Sequence, residues 1–210
     1  NTSVRNATAD FRGLVRHFEG VVHHADIAKE SHFAGTFDIK GIPAWQTSKY
    51  VIGVEDLYLP SNDILALTDN ILHEPLDGKV RDIVSRAKWV SARGTFGGYL
   101  HNFRVVGNVG SGEGGLSADI KMAKEEDVRH RLQGRVKTSR LDMGELLSLN
   151  VLHDIDSDIV VDGSFGSRDS GGVRGDVDVD VSGLGLGNYR YTAISGMGHI
   201  DGDSYYAELY

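Results

Sequence analysis

The chain has 210 residues, with 22 Lys and Arg against 30 Asp and Glu, for a formal charge of −8. That balance argues against a nucleic-acid partner, because nothing in it would release counterions from a phosphate backbone, and the absence of cysteine excludes disulfides, thiol nucleophiles and thiolate metal sites. No apolar run approaches the ~20 residues of a membrane-spanning helix, and a start at Asn1 with no charged-then-apolar leader reads as a piece of something longer.

Glycine is the informative residue: 27 of 210 is about 13%, roughly twice the usual ~7%. Only three prolines accompany it, so the excess points to many short strands joined by turns that need positive φ, not to a disordered linker. In chain order, strands are expected over 15–23 and 33–40, where Phe33, Phe37 and Ile39 oppose Thr36, Asp38 and Lys40, and again over 50–59. From Ser61 to about Val90 the period changes to that of a helix. Ile64, Leu67, Ile71 and Leu72 form one stripe and Val80, Ile83, Val84 and Ala87 another, with Ser61 and Asp63 as N-cap candidates and Pro75 and Gly78 dividing the two.

Beyond 90, strands are expected over 99–106, 131–138, 159–163 and 189–196, with a single-turn helix over 141–147. Two runs alternate cleanly. Leu116, Ala118, Ile120 and Met122 oppose Ser117, Asp119 and Lys121, and Val177, Val179 and Val181 oppose Asp176, Asp178 and Asp180. That is the signature of antiparallel strands with one dry and one wet face. The expectation is a mainly β protein, a meander of hairpins forming a single domain over 1–210 with a helical insertion over 61–90 and no linker to divide it.

Chemical motifs are sparse. His17, His23, His24 and His32 could in principle offer imidazoles to zinc, but adjacent His23 and His24 should point to opposite faces of a strand, and no HExxH or HxH spacing occurs. The Asp runs at 154–158 and 176–180 lack the DxDxDG loop and distal glutamate of an EF-hand. There is no GxSxG elbow, and GSGEGG at 110–115 is followed by a strand pattern and no Lys-Ser/Thr, so it reads as a turn. No cofactor, metal or enzymatic activity is expected. An extracellular adhesion or glycan-binding β-sandwich is the alternative, with Trp45, Tyr58, Trp89, Tyr99, Tyr205 and Tyr206 as candidate stacking platforms.

Several segments, taken in order, resemble a known family. FAGTFDIKGIPAW (33–45), YLPSNDILAL (58–67), GTFGGYLHNF (94–103), LDMGELLSLNVLHDIDSDIVVDGSF (141–165) and YRYTAISGMGHIDGDSYYAEL (189–209) are similar to successive motifs of the TamB family. This is the translocation and assembly module inner-membrane component, of the AsmA-like group, in its Bacteroidetes form. Ile42 stands where leucine is commoner, and His153-Asp154 replaces the more usual LG-V. The likeness spans roughly 33–209 and leaves the first thirty residues unmatched.

That resemblance implies an elongated β-sheet curved into an open, taco-like trough with an apolar lining. It further implies a periplasmic location, an anchor in the inner membrane of the full-length protein, no enzymatic activity, and work with an outer-membrane assembly barrel. The cargo it implies is phospholipid or a nascent outer-membrane protein. On this reading Phe33, Phe37, Ile39, Leu116, Ala118, Ile120, Met122, Val177, Val179 and Val181 line one groove. An isolated piece would hold lipid or self-associate through its sheet ends.

Overall fold

The computed structural model describes residues 4–14, 16–27, 30–71, 77–126, 129–166 and 172–210. It is mainly β, with 72% of residues in strands, and forms one antiparallel sheet of 13 strands that does not close into a barrel. The first four strands are β1 (Val4–Leu14), β2 (His17–Ile27), β3 (Ser31–Lys40) and β4 (Lys49–Pro60). Helices α1 (Ser61–Ile71) and α2 (Gly78–Arg86) follow, then β5 (Trp89–Tyr99), β6 (Asn102–Ser111), β7 (Gly114–Glu126) and β8 (Arg129–Asp142). A short α3 (Met143–Leu147) precedes β9 (Leu152–Gly166), β10 (Val173–Leu186), β11 (Tyr189–Tyr191), β12 (Ile194–Asp201) and β13 (Ser204–Leu209).

Spatial order equals chain order from β1 to β10, continuing through β12 to β13, with β11 paired to the far end of β10. Extensive strand contacts run only between ladder neighbours. The sheet is therefore a single open layer and not the two packed layers of a sandwich.

Two strands escape the period-2 reading. In β1 the face-forming residues include Ala7 and Ala9, and in β5 they include Gly94 and Gly98 beside Phe96, so small side chains mute the alternation. The strand expected over 99–106 belongs to a β5–β6 hairpin turning at Leu100 and His101. The helical stretch ends at Arg86, and Val90 lies in β5. Val15, Leu72 and Pro75 lie outside the described residues. Ser61 is not seen capping α1: its Oγ donates to the Val84 carbonyl at 2.5 Å, while Asp63 accepts from Ser31 Oγ at 2.6 Å. Asp77 caps α2 through Lys79 N, and Asp142 caps α3 through Glu145 N at 2.8 Å.

Register sorts the residues of the whole sheet into two kinds of lateral row. One row starts Phe11, Gly20, Phe37, Ile52, Phe96, Val105 and continues Ile120, Gly134, Val161, Val177, Gly198, Ala207. It crosses from β1 to β13 without a polar side chain. The row one residue along holds Arg12, Glu19, Asp38, Arg104, Lys121, Gln133, Asp162, Asp176 and His199. Because successive strand residues point to opposite faces, one face is apolar and the other charged.

Among the described residues, none covers most of the apolar face. Accessible surface is 13622 Å² for 22.8 kDa, against roughly 9,600 Å² for a compact monomer of that mass. Among the described residues, only Ala25, Ala87 and Leu141 are buried hydrophobics. All three sit towards the end of the sheet that carries the helices. There the connections are tied sideways: Ser61 N donates to Lys88 O at 2.9 Å, Gly112 N to Ala87 O at 2.9 Å, Asp142 N to Glu113 O at 2.7 Å and Gly187 N to Val151 O at 2.7 Å. No helix among the described residues is long and apolar enough to cross a membrane.

Candidate apolar binding face

The groove residues expected from sequence fall on three strands. Phe33, Phe37 and Ile39 lie on β3, Leu116, Ala118, Ile120 and Met122 on β7, and Val177, Val179 and Val181 on β10. Register places all ten on the apolar face. They do not touch as one patch, since other strands intervene. Ile52, Phe96 and Val105 fill the gap between β3 and β7, and Val136, Ile159 and Val161 fill that between β7 and β10. Sequence reading passed over these six because their strands mix valine with glycine and with paired apolar residues such as Val105-Val106 and Val160-Val161.

At the β1 side, Phe11, Phe18 and Phe37 form a ring cluster with centroids 5.2–5.9 Å apart. Gly20 sits beneath it, where a Cβ would come within 2.6 Å of Phe11 Cδ1 and 2.8 Å of Phe37 Cζ, so glycine lets the rings close over the strand. Further along, Ile52, Val54, Ala92, Phe96, Val105 and Leu116 help line an apolar depression of about 240 Å³. Phe96 also packs on Phe103, with ring centroids 5.2 Å apart. Phe11 remains 58% exposed and Val109 42% exposed, values that belong to a surface and not to a core.

The opposite face is laced with ion pairs. Arg104 grips Asp119 at 2.9 and 2.7 Å, and Arg131 grips Asp162 at 3.0 Å through both nitrogens. Arg135 and Lys137 share Asp158 and hold its carboxyl down at about 2, the Arg135 hydrogen bonds first and the Lys137 bond next. Arg104 likewise lowers Asp119, and Arg131 with Gln133 lowers Asp162.

The histidines do not converge. His23 meets Asp10 at 2.9 Å, His24 meets Asp26 at 2.8 Å and His32 meets Asp56 at 3.1 Å. The expected opposition of His23 and His24 is overturned, because a register break between Val22 and Ala25 lets both rings reach carboxylates of the charged face. His17, Glu19 and Asp38 do bring ligand atoms within 4.8 Å of one another. Arg12 already pairs with Glu19, however, and Lys40 with Asp38 at 3.1 Å. Asp176, Asp178 and Asp180 spread along β10, with Asp176 on His199 and Asp180 on Ser195, each at 2.8 Å.

The aromatic candidates are scattered. Tyr58 stacks on Trp89 at 5.9 Å and on His32 at 5.5 Å, so these rings satisfy one another. Trp45 and Tyr99 lie in or beside turns, and Tyr205 and Tyr206 occupy the edge strand β13. No family model, curated protein or solved structure matches the chain.

Proposed function

We propose that this chain is a non-enzymatic trough module of the TamB and AsmA-like kind, working in the periplasm, whose apolar face holds phospholipid acyl chains or apolar strands of an outer-membrane client. The observation that carries the reading is the uninterrupted apolar row from Phe11 to Ala207, left open to solvent over most of its length. Soluble monomers rarely expose contiguous apolar area beyond a few hundred Å² unless it binds something. Acyl chains need no directional chemistry. Each buried CH₂ contributes ~0.8 kcal/mol, so ten of them offer about 8 kcal/mol before the ordering cost is subtracted. A glycan platform finds less support, since Tyr58 and Trp89 stack on each other instead of standing open.

Native mass spectrometry with lipid extraction, on protein from a bacterial host, tests this. Co-purifying phospholipid is expected, and Ile120→Asp or Val179→Asp should remove it while the circular dichroism stays that of a β-sheet. A lipid-free monomer, or binding indifferent to both changes, would sink the reading.

A further inference from the structure

We infer that His17, Glu19 and Asp38 form a Zn²⁺ site on the charged face, opposite the apolar row and separate from the trough. Glu19 and Asp38 are register partners on β2 and β3, so two carboxylates stand directly across the ladder from one another. His17 lies two residues before Glu19 on the same face of β2, and its Nε2 is 2.8 Å from Asp38 Oδ1 and 3.9 Å from Glu19 Oε2. Like charges directly opposite one another destabilise a sheet, and a cation between them turns that contact into an attraction. Among the described residues, no other group of three His, Asp or Glu brings ligand atoms within 4.8 Å of one another.

The basic neighbours leave the inner oxygens to the site. Arg12 bonds Glu19 through Oε1, and Lys40 bonds Asp38 through Oδ2 at 3.1 Å. In each carboxylate the oxygen nearer His17 is the other one. Outer partners of this sort orient metal-ligating carboxylates. Zinc takes imidazole nitrogen and carboxylate oxygen at ~2.0–2.2 Å, which sets tetrahedral ligand atoms about 3.4 Å apart. The 2.8 and 3.9 Å spacings lie on either side of that value, so small side-chain rotations suffice. One imidazole with two carboxylates suits zinc better than calcium or magnesium, which take oxygen alone.

The strands beneath are anchored from the other side. Phe18 lies between His17 and Glu19, Phe37 lies next to Asp38, and their rings pack 5.2 Å apart on the apolar face. On the charged face Glu19 and Asp38 also line, with Arg12, Val21, Thr36 and Val51, a depression of about 440 Å³. At ~30 Å³ per water, it has room for the waters that complete a metal's coordination. His199, on the same face, bonds Asp176 at 2.8 Å but belongs to no such group, which makes it the control.

The test is isothermal titration of zinc chloride into the whole chain after EDTA treatment and dialysis. The wild type should take up one Zn²⁺ at a site that His17→Gln and Asp38→Asn each weaken at least about tenfold, while His199→Gln leaves it unchanged. Co²⁺ added to the wild type gives a readout that needs no variant: paramagnetic broadening of the amide signals should centre on His17, Glu19 and Asp38 and spare His199. No zinc uptake, uptake as tight in His17→Gln as in the wild type, or an equal loss in His199→Gln overturns the site. If His17→Gln and Asp38→Asn fail to fold, Co²⁺ broadening centred elsewhere in the chain overturns it.

Discussion

Arg135 and Asp158 join β8 to β9 through two parallel bonds, Nε to Oδ1 at 2.5 Å and Nη2 to Oδ2 at 2.6 Å, while the next residues, Val136 and Ile159, pair on the opposite face. One step along each strand separates an ion pair from an apolar contact. The same division recurs at Arg104–Asp119 beside Val105–Ile120. The charged face therefore does more than face water: with no packed interior, cross-strand pairs on both faces hold the register.

A pH dependence follows from that arrangement. Asp158 is depressed from 3.8 to about 2, and Asp38, Asp119, Asp154 and Asp162 are lowered by their Lys or Arg partners. A carboxylate with a depressed folded pKa favours the fold above its unfolded value, and that contribution disappears as pH falls through the folded value. Thermal midpoints should hold above about pH 4 and fall between about pH 4 and pH 2. Asp158→Asn should flatten that decline. A midpoint constant down to about pH 2 would show that these pairs contribute nothing.

How much of this was legible in the amino-acid order depends on side-chain size. The runs from Leu116 to Met122 and from Val177 to Val181 alternate large apolar with polar residues, and they are strands with the expected faces. β1 and β5 use alanine and glycine where a period-2 reading needs bulk, so they stayed hidden. Register breaks are equally silent: the one between Val22 and Ala25 put His23 and His24 on one face, against expectation. The clustering of His101 with His130 depends on two hairpins lying side by side, which no local pattern records.

Stability should be concentrated near the helices. Leu141 is 9% exposed, whereas Val109 on the open face is 42% exposed. Leu141→Ala should therefore cost roughly 2–4 kcal/mol and Val109→Ala under about 1 kcal/mol. Urea unfolding measures both. Equal costs would mean that the open face is covered in solution, for instance by a second copy.

Two glycines should respond in opposite directions. A Cβ on Gly144 would lie 1.6 Å from the Leu152 carbonyl oxygen, inside the α3 connection, while a Cβ on Gly97 meets nothing within 4 Å. Gly144→Ala should destabilise by roughly 1–3 kcal/mol. Gly97→Ala should be neutral or stabilise by a few tenths, to about 1 kcal/mol, by restricting the unfolded chain. A tolerated Gly144→Ala would require the α3 turn to rearrange, which the chemical shifts of Glu145 and Leu152 would reveal.

Amide exchange gives the broadest check on an open meander. Among the described residues, β2 to β10 and β12 are each hydrogen-bonded on both sides, but β1 pairs only with β2, the three-residue β11 only with β10 and β13 only with β12. Every residue of β13 is exposed, and β1 carries two register breaks against β2. Opening an edge strand costs one ladder, whereas opening β8 breaks two, together with the Arg131, Arg135 and Lys137 pairs to Asp162 and Asp158. Exchange should therefore be fastest in β1 and β13 and slowest in β7 to β9, graded by distance from the edge. Strong protection of β13 in dilute solution would mean that its outer edge is paired, by another copy or by a further strand. In that case protection should fall on dilution if a second copy supplies the partner, and Ala207→Pro, which removes a backbone donor from the edge, should weaken it.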